Sequence, residues 1–264
     1  MPEPVYTLYQ FPGCPFSERV EILLSLKGLE NICRDVEIDL SKPRPDWLLA
    51  KTGGTTALPA LDMPHGTLKE SAVILRFFEQ TFPEPPVARA DPYEHGVESI
   101  IAALDGALSG AAYALLRNRD RAQDGHLRLA VDGQFARIDA ALRHYATHGD
   151  FVFDRFGWAE TVFTPVFKRL WFLEYYCDYT IPAELARVAA WRAACLEHPA
   201  AQARSREEIL KLYYDYSRGA GGGALVEGRE VSSFTLDPHW STRPMPPRDK
   251  WAPAASDRAL GLLA

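Results

Sequence analysis

The spacing of apolar residues follows one rule up to residue 82 and another from 92 to about 217, and that change limits the folds open to this chain. In the first stretch, strand-like and helix-like runs alternate. Tyr6-Thr7-Leu8-Tyr9 alternates and is rich in aromatic and β-branched residues, as a strand requires. Phe16, Val20, Leu23 and Leu24 then recur at helical spacing, and Gly28 follows as a C-cap. "NICRDVEIDL" (31–40) reads as a second strand with Val36, Ile38 and Leu40 on one face. "ALPALDM" (57–63) and "GTLKE" (66–70) suit a hairpin turning at Pro64-His65. "SAVILRFFEQTF" (71–82) predicts a helix carrying Val73, Ile74, Phe77 and Phe78 on one face and stopped by Pro83.

From residue 92 every segment favours helix. Asp91-Pro92, at the end of the connector "PEPPVARADP", supplies an N-cap and an N1 proline. Val97, Ile100, Ile101, Leu104 and Leu108 form one stripe; Leu127, Val131, Phe135, Ile138 and Leu142 form another. "TVFTPVFKRLWFLEYY" (161–176) is apolar nearly all round, which predicts the central buried helix of a bundle, with Pro165 near its first turn. "AELARVAAWRAACLEH" and "REEILKLYYDY" supply two more helices. After 217 the pattern ends. "RGAGGGALVEG" lacks the Gly-Lys-Ser/Thr of a phosphate loop and reads as a flexible linker. The rest is extended and proline-rich, and Phe234, Trp240 and Trp251 are expected to anchor it across the surface.

Strand-helix-strand followed by strand-strand-helix is the element order of a thioredoxin-like domain. The expected fold is therefore an α/β thioredoxin-like domain over residues 1–84, an all-α helical bundle over 91–217 and an extended tail over 218–264. The formal net charge of −6 gives no electrostatic case for nucleic acid or an anionic membrane. No basic, apolar leader opens the sequence, and no apolar run approaches the ~20 residues of a membrane span. Four scattered cysteines make no disulfide framework, so a reducing, cytoplasmic setting is expected. Seven histidines without ligand spacing argue against a metal site.

Three local features carry chemistry. Cys14-Pro15-Phe16-Ser17 stands where the first strand hands over to the first helix. First-turn N–H groups and the positive end of the helix dipole favour an anion there, which suits a thiolate nucleophile. Ser17 replaces the second cysteine of a CxxC pair, so a mixed disulfide with a small thiol would persist until a second thiol attacked it. The polar run Ser17-Glu18-Arg19 points to an open site, whereas Cys33, Cys177 and Cys195 read as inert core thiols. Leu58-Pro59 is a candidate cis bond that would offer the Leu58 N–H and C=O to an extended ligand. Glu70-Ser71 closes a strand and opens a helix. Ser71, as an N-cap candidate, could hold a carboxylate and Glu70 an ammonium, together an amino-acid head group.

In combination, "GCPFSERVEILLSLKG", "KPRPDW", "ALPAL" and "KESAVILRFFEQTFPEP", followed by a helical half, resemble a cytosolic glutathione transferase of the omega class and its bacterial relatives. "GWAETVFTPVFKRLWFLEYY", "KLYYDY" and "RPMPPRDKW" are similar to the glutathione-removing lyases of bacterial lignin β-ether breakdown. The resemblance implies glutathione as co-substrate, no metal, and a homodimer. It implies Cys14 as nucleophile, Leu58 beside Pro59 on the cysteinyl backbone, and Glu70 and Ser71 on the γ-glutamyl end. Phe16 would add a wall, and Lys42, or else Arg44, would meet the glycyl carboxylate. The family's capping box falls near Gly157 and Glu160, with glycine where serine or threonine is usual.

The implied reaction removes glutathione from an aromatic conjugate, an α-glutathionyl aryl ketone. Its leaving enolate needs a donor, and Tyr175, Tyr176, Tyr213, Tyr214 and Tyr216 are the reservoir, Tyr216 foremost. The alternatives are a glutathionyl-hydroquinone or dehydroascorbate reductase using the same cysteine, a β-etherase using Ser17, and a non-catalytic binding protein of the same fold.

Overall fold

The computed structural model describes residues 5–146 and 149–263. Its first part is β1 (Tyr6–Gln10), α1 (Pro15–Lys27), β2 (Cys33–Glu37), α2 (Asp46–Lys51), β3 (Ala60–Met63), β4 (Gly66–Lys69) and α3 (Ser71–Thr81). The sheet order is β2-β1-β3-β4. β2 runs parallel to β1, and β3 and β4 are antiparallel to their neighbours. One parallel pair needs a crossover, and α1 supplies it. Leu8 and Leu61 face each other across β1 and β3 and bury against Val20, Leu23, Ile74, Leu75 and Phe78 of α1 and α3. Tyr9, Ile38, Leu48 and Ala60 close the opposite face. On α3 the expected stripe is rotated: Val73 is exposed, and Leu75 takes its place in the core.

The second part is α4 (Pro92–Ala102), α5 (Asp105–Arg117), α6 (Asp124–Tyr145), α7 (Trp158–Tyr176), α8 (Ala186–Glu197), α9 (Arg206–Leu212) and α10 (Tyr214–Ser217). Asp91 caps α4 by accepting the Glu94 N–H, as expected. α7 is the central helix, packed on α1, α4, α5, α8 and α9. Pro165 lies inside α7, beyond its first turn, because the helix starts earlier than the apolar run suggests. The α4–α5 stretch Pro92–Arg117 reaches a mean hydropathy of 1.5 over eighteen residues, so by length and composition one segment does match a membrane span. Isoleucine and leucine supply most of that hydropathy, but alanine, glycine and polar residues are interspersed among them, so no unbroken apolar run stands out.

The start of α7 shows how a missing cap residue is offset. Glu160 accepts from the Gly157 N–H at 2.9 Å and also holds Val152 N–H and Trp191 Nε1. Glycine has no side chain to complete the box. Glu98 of α4 caps a different first-turn donor, accepting from the Trp158 N–H at 3.2 Å. A Cβ on Gly157 would stand 2.8 Å from Glu98 Oε1 and 3.3 Å from the Val87 carbonyl. Gly157→Ser is therefore expected to destabilise by about 1–3 kcal/mol through overpacking, read as a lowered melting temperature, despite restoring the usual cap residue.

The tail is built in rather than laid on. Phe234 is buried against Phe11, Tyr213 and Tyr216. Trp240 lies under Lys211, and Trp251 under Arg121 and Lys250. Arg229 pairs with Asp215 and Asp257, and the wholly buried Lys250 donates to the Leu115 carbonyl in the last turn of α5. The glycine-rich segment is no free linker. A Cβ on Gly223, whose φ is +86°, would overlap the Leu40 carbonyl at 1.9 Å, and one on Gly221 would press on the Tyr216 ring. Those glycines let the segment close over the space between the two domains.

Candidate functional site

Cys14 is the N-cap residue of α1, with Pro15 at N1. Its carbonyl accepts the first helical bond, from the Glu18 N–H at 3.2 Å, and its N–H donates to the Phe11 carbonyl at 2.9 Å. The Sγ is half-buried and lies 3.6 Å from the Leu58 carbonyl, across the cis Leu58–Pro59 bond. The loop is held from below by the helical domain. Arg169 Nη2 and the Tyr213 hydroxyl both donate to the Gly13 carbonyl, at 2.6 and 2.9 Å.

Ser17, Glu18 and Arg19 do not mark an open site: they are 1%, 1% and 5% exposed. They form the buried seam between the domains. Glu18 pairs with both Lys168 and Arg169, and Arg19 pairs with Asp105 and donates to the Val162 carbonyl at 3.0 Å. Burial pulls the Lys168 amine below its usual range while the Glu18 carboxylate pulls it back up. A polar triplet on a helix looks solvated until its partners, some 150 residues away, are known. Ser17 is buried with its hydroxyl unpartnered, so it is not placed to activate a ligand thiol. The other cysteines are inert, as expected: burial pushes their thiols up, to about 11 for Cys177.

Beside Cys14 a cleft of about 310 Å³ opens between the domains. Pro15, Phe16 and Leu40 wall it on one side; Tyr113 and Arg117 of α5, with Tyr213, Tyr216 and Phe234, wall it on the other. Cys14, Phe16 and Tyr216 are thus brought together as expected. Leu40, Tyr113, Arg117 and Phe234 were not anticipated as site residues. Tyr113 and Arg117 lie one turn apart on α5, and that pairing was the signal to find them.

Hydrogen bonds sort the tyrosines. Tyr175 donates to the Pro246 carbonyl and Tyr176 to the Leu210 carbonyl. Tyr214 is wholly buried and accepts from the Ala255 N–H. Tyr213 spends its proton on Gly13, which leaves Tyr113 to donate to the Tyr213 oxygen at 3.0 Å. Tyr216 differs. Its oxygen accepts from the Gly222 N–H at 3.2 Å, and its proton is given to no protein atom among the described residues. Burial raises its pKa; the Gly222 N–H and the Arg117 charge oppose that rise.

Glu70, not Ser71, occupies the N-cap position of α3, and it does so with a φ of +68°. Ser71 is the first helical residue, and its hydroxyl accepts from Arg19 Nη1 at 3.5 Å. Arg19 in turn lies over the Phe16 ring, 4.8 Å from its centroid. Glu70 is exposed, and a positive φ on a non-glycine residue is strained, a feature found where function demands it. Glu70→Gly is expected to stabilise the fold by about 1 kcal/mol by relieving that strain, checked by melting temperature. Lys42 is exposed and pairs with Asp39 at 3.4 Å; Arg44 is half-buried and donates to the Lys42 carbonyl at 3.3 Å. Neither lines the cleft. Among the described residues no group of three or more His, Cys, Asp or Glu is placed to hold a metal.

Residues 8–86 match the family model "Glutathione S-transferase, N-terminal domain". Mouse glutathione S-transferase omega-1 is 23% identical over 223 residues, covering 81% of this chain and 88% of its own length. Two of the similar solved structures illustrate the match. One is the trimeric Leishmania glutathione transferase TDR1, at TM-score 0.68 and 26% identity over 75% of this chain and 44% of that one. The other is the Chlamydomonas reinhardtii dehydroascorbate reductase, at TM-score 0.65 and 22% identity over 81% of this chain and 100% of that one. A thioredoxin-like sheet that matches the transferase N-terminal domain, joined to a helical bundle that shares the cleft at Cys14, gives this chain the glutathione transferase fold, with omega-class proteins among its relatives.

Proposed function

We propose that the protein is a cysteine-type glutathione transferase that removes glutathione from an α-glutathionyl aryl ketone. Glutathione would lie along Leu58, its γ-glutamyl end at Glu70 and Ser71 and its glycyl carboxylate toward Lys42 or Arg44. The Cys14 thiolate attacks the thioether sulfur, and the carbon leaves as an enolate stabilised by the Tyr216 phenol. A second glutathione then attacks the Cys14 mixed disulfide, giving oxidised glutathione and free enzyme. The observation that carries this reading is that, of the three phenols on the cleft wall, only Tyr216 has a proton given to no protein atom among the described residues, facing the same cleft as the Cys14 sulfur. Such chemistry belongs in a reducing, glutathione-rich compartment, the cytoplasm.

Turnover with excess glutathione tests it: free ketone and oxidised glutathione should form in equal amounts. A protein inactive on the ketone that reduces glutathionyl-hydroquinones or dehydroascorbate would instead be the reductase that the Chlamydomonas structure makes the second reading. The β-etherase reading loses support because Ser17 is buried away from the cleft. A homodimer would use the face of α4 and α5 that exposes Tyr93, Ile100, Ala103 and Ala107, with Val73 of α3 beside it. Ile100→Lys would then lower the molecular mass seen by light scattering.

A further inference from the structure

The cleft's single charged wall residue is Arg117, at the C-terminal end of α5. Three arginines elsewhere are buried in ion pairs, Arg19 with Asp105, Arg169 with Glu18, and Arg229 with Asp215 and Asp257, whereas Arg117 is exposed at the rim of the cleft. Among the described residues it joins no ion pair, and its one hydrogen bond is a long one, from Nη2 to the Gly219 carbonyl at 3.5 Å. Its guanidinium carbon stands 5.9 Å from the centroid of the Tyr216 ring. A cation held so loosely, in a wall otherwise aromatic and aliphatic, contributes little to the fold and is free to meet a ligand.

Resting on the lyase reading above, we propose that Arg117 is a second catalytic donor, which meets the ketone oxygen of the substrate together with Tyr216 as negative charge develops there. The balance of the step requires such charge. An S–S bond forms between Cys14 and the glutathione sulfur, the carbon–sulfur bond breaks, and its electron pair passes to the α-carbon and on to the ketone oxygen. The enolate then takes at carbon the proton given up by a second glutathione thiol. That glutathione's thiolate attacks the glutathione sulfur of the mixed disulfide, forming oxidised glutathione and releasing the Cys14 thiolate. The carbon gains two electrons, and the two glutathione sulfurs lose them in forming the disulfide. Two donors are better than one here: the neutral phenol gives direction, and the guanidinium gives charge from the cleft rim. The inferred substrate class is a conjugate whose carbonyl lies next to the thioether-bearing carbon, with an aryl group against Phe16 and Phe234.

The test compares two substrates of one enzyme, in wild type, Arg117→Met and Arg117→Lys. One substrate is the α-glutathionyl aryl ketone; the other is the mixed disulfide of glutathione with 2-mercaptoethanol, whose thiolate leaving group needs no enolate donor. Arg117→Met is expected to lower kcat on the ketone by about 10²-fold with KM changed by less than about threefold, because the lost interaction belongs to the transition state. Disulfide turnover should stay within about threefold of wild type, and Arg117→Lys should recover about tenfold of the ketone loss. An equal loss on both substrates would overturn the proposal in favour of a general effect on Cys14. A rise in KM alone would overturn it in favour of ground-state recognition of an acidic substituent. Wild type active on the disulfide and inert on the ketone would defeat the lyase reading itself, a separate result. Retained disulfide turnover also shows that each variant is folded.

Discussion

Cys14→Ser is expected to lower glutathione removal by on the order of 10⁴-fold or more, the scale on which a nucleophile's loss is felt. A serine hydroxyl is a far weaker nucleophile at neutral pH and cannot form the mixed disulfide on which the second half-reaction depends. Binding should survive, because the sulfur's one bond to the protein is the 3.6 Å contact with the Leu58 carbonyl. Calorimetric titration with glutathione should therefore give an affinity within about threefold of wild type while turnover vanishes. Ser17→Ala is the matched control. Its hydroxyl is buried without a partner, so removing it should leave turnover unchanged and stability equal or slightly higher. Activity lost in Ser17→Ala and kept in Cys14→Ser would move the nucleophile's role three residues along α1.

The largest stability effect is expected at Arg169. This guanidinium is wholly buried in the seam between α1 and α7, where it pairs with Glu18 and holds the Gly13 carbonyl. Arg169→Met leaves the Glu18 carboxylate buried with Lys168 alone. Breaking a buried pair in this way costs about 3–5 kcal/mol. At roughly 2–4 °C per kcal/mol for a chain of this size, the melting temperature should fall by roughly 6–20 °C. Removing all three charges, as Glu18→Leu with Lys168→Met and Arg169→Met, should recover much of that loss, because the desolvation penalty goes with the charges. Turnover should not recover with it. Gly13, one residue before Cys14, keeps the Tyr213 hydroxyl but still lacks the charged donor that Arg169 gave its carbonyl. Stability restored without activity would separate the two roles of Arg169; both restored together would leave it a structural residue only.

What could be read from the chain alone was what neighbouring residues decide. The strand, helix and hairpin signals of the first domain are local, and so are the Asp91 cap of α4 and the Gly28 cap of α1. Cys14 was legible because its position at a strand–helix junction is a local fact. Tyr216 was singled out among five tyrosines by its place before the glycine run; hydrogen bonds to distant carbonyls commit Tyr175, Tyr176 and Tyr213, and burial removes Tyr214 from the cleft. What stayed hidden depends on partners far along the chain. Ser17-Glu18-Arg19 reads as solvated until Lys168 and Arg169 are folded against it. The Lys168-Arg169 pair inside the most apolar helix was itself a sign that buried partners existed. Gly157 reads as a lost cap until Glu98 is seen to cap the neighbouring Trp158 N–H. The glycine run reads as a linker, although its glycines are needed where it touches Leu40 and Tyr216.

The central claim is that Cys14 takes glutathione from carbon, and one measurement addresses it directly. One equivalent of α-glutathionyl aryl ketone is added to the protein without free glutathione, and intact-mass and peptide spectra are recorded beside the yield of free ketone. The account predicts one glutathionyl group on Cys14, none on Cys33, Cys177 or Cys195, and one equivalent of ketone released. Ketone released with Cys14 unmodified would contradict it, as would a protein that binds the conjugate and leaves it whole.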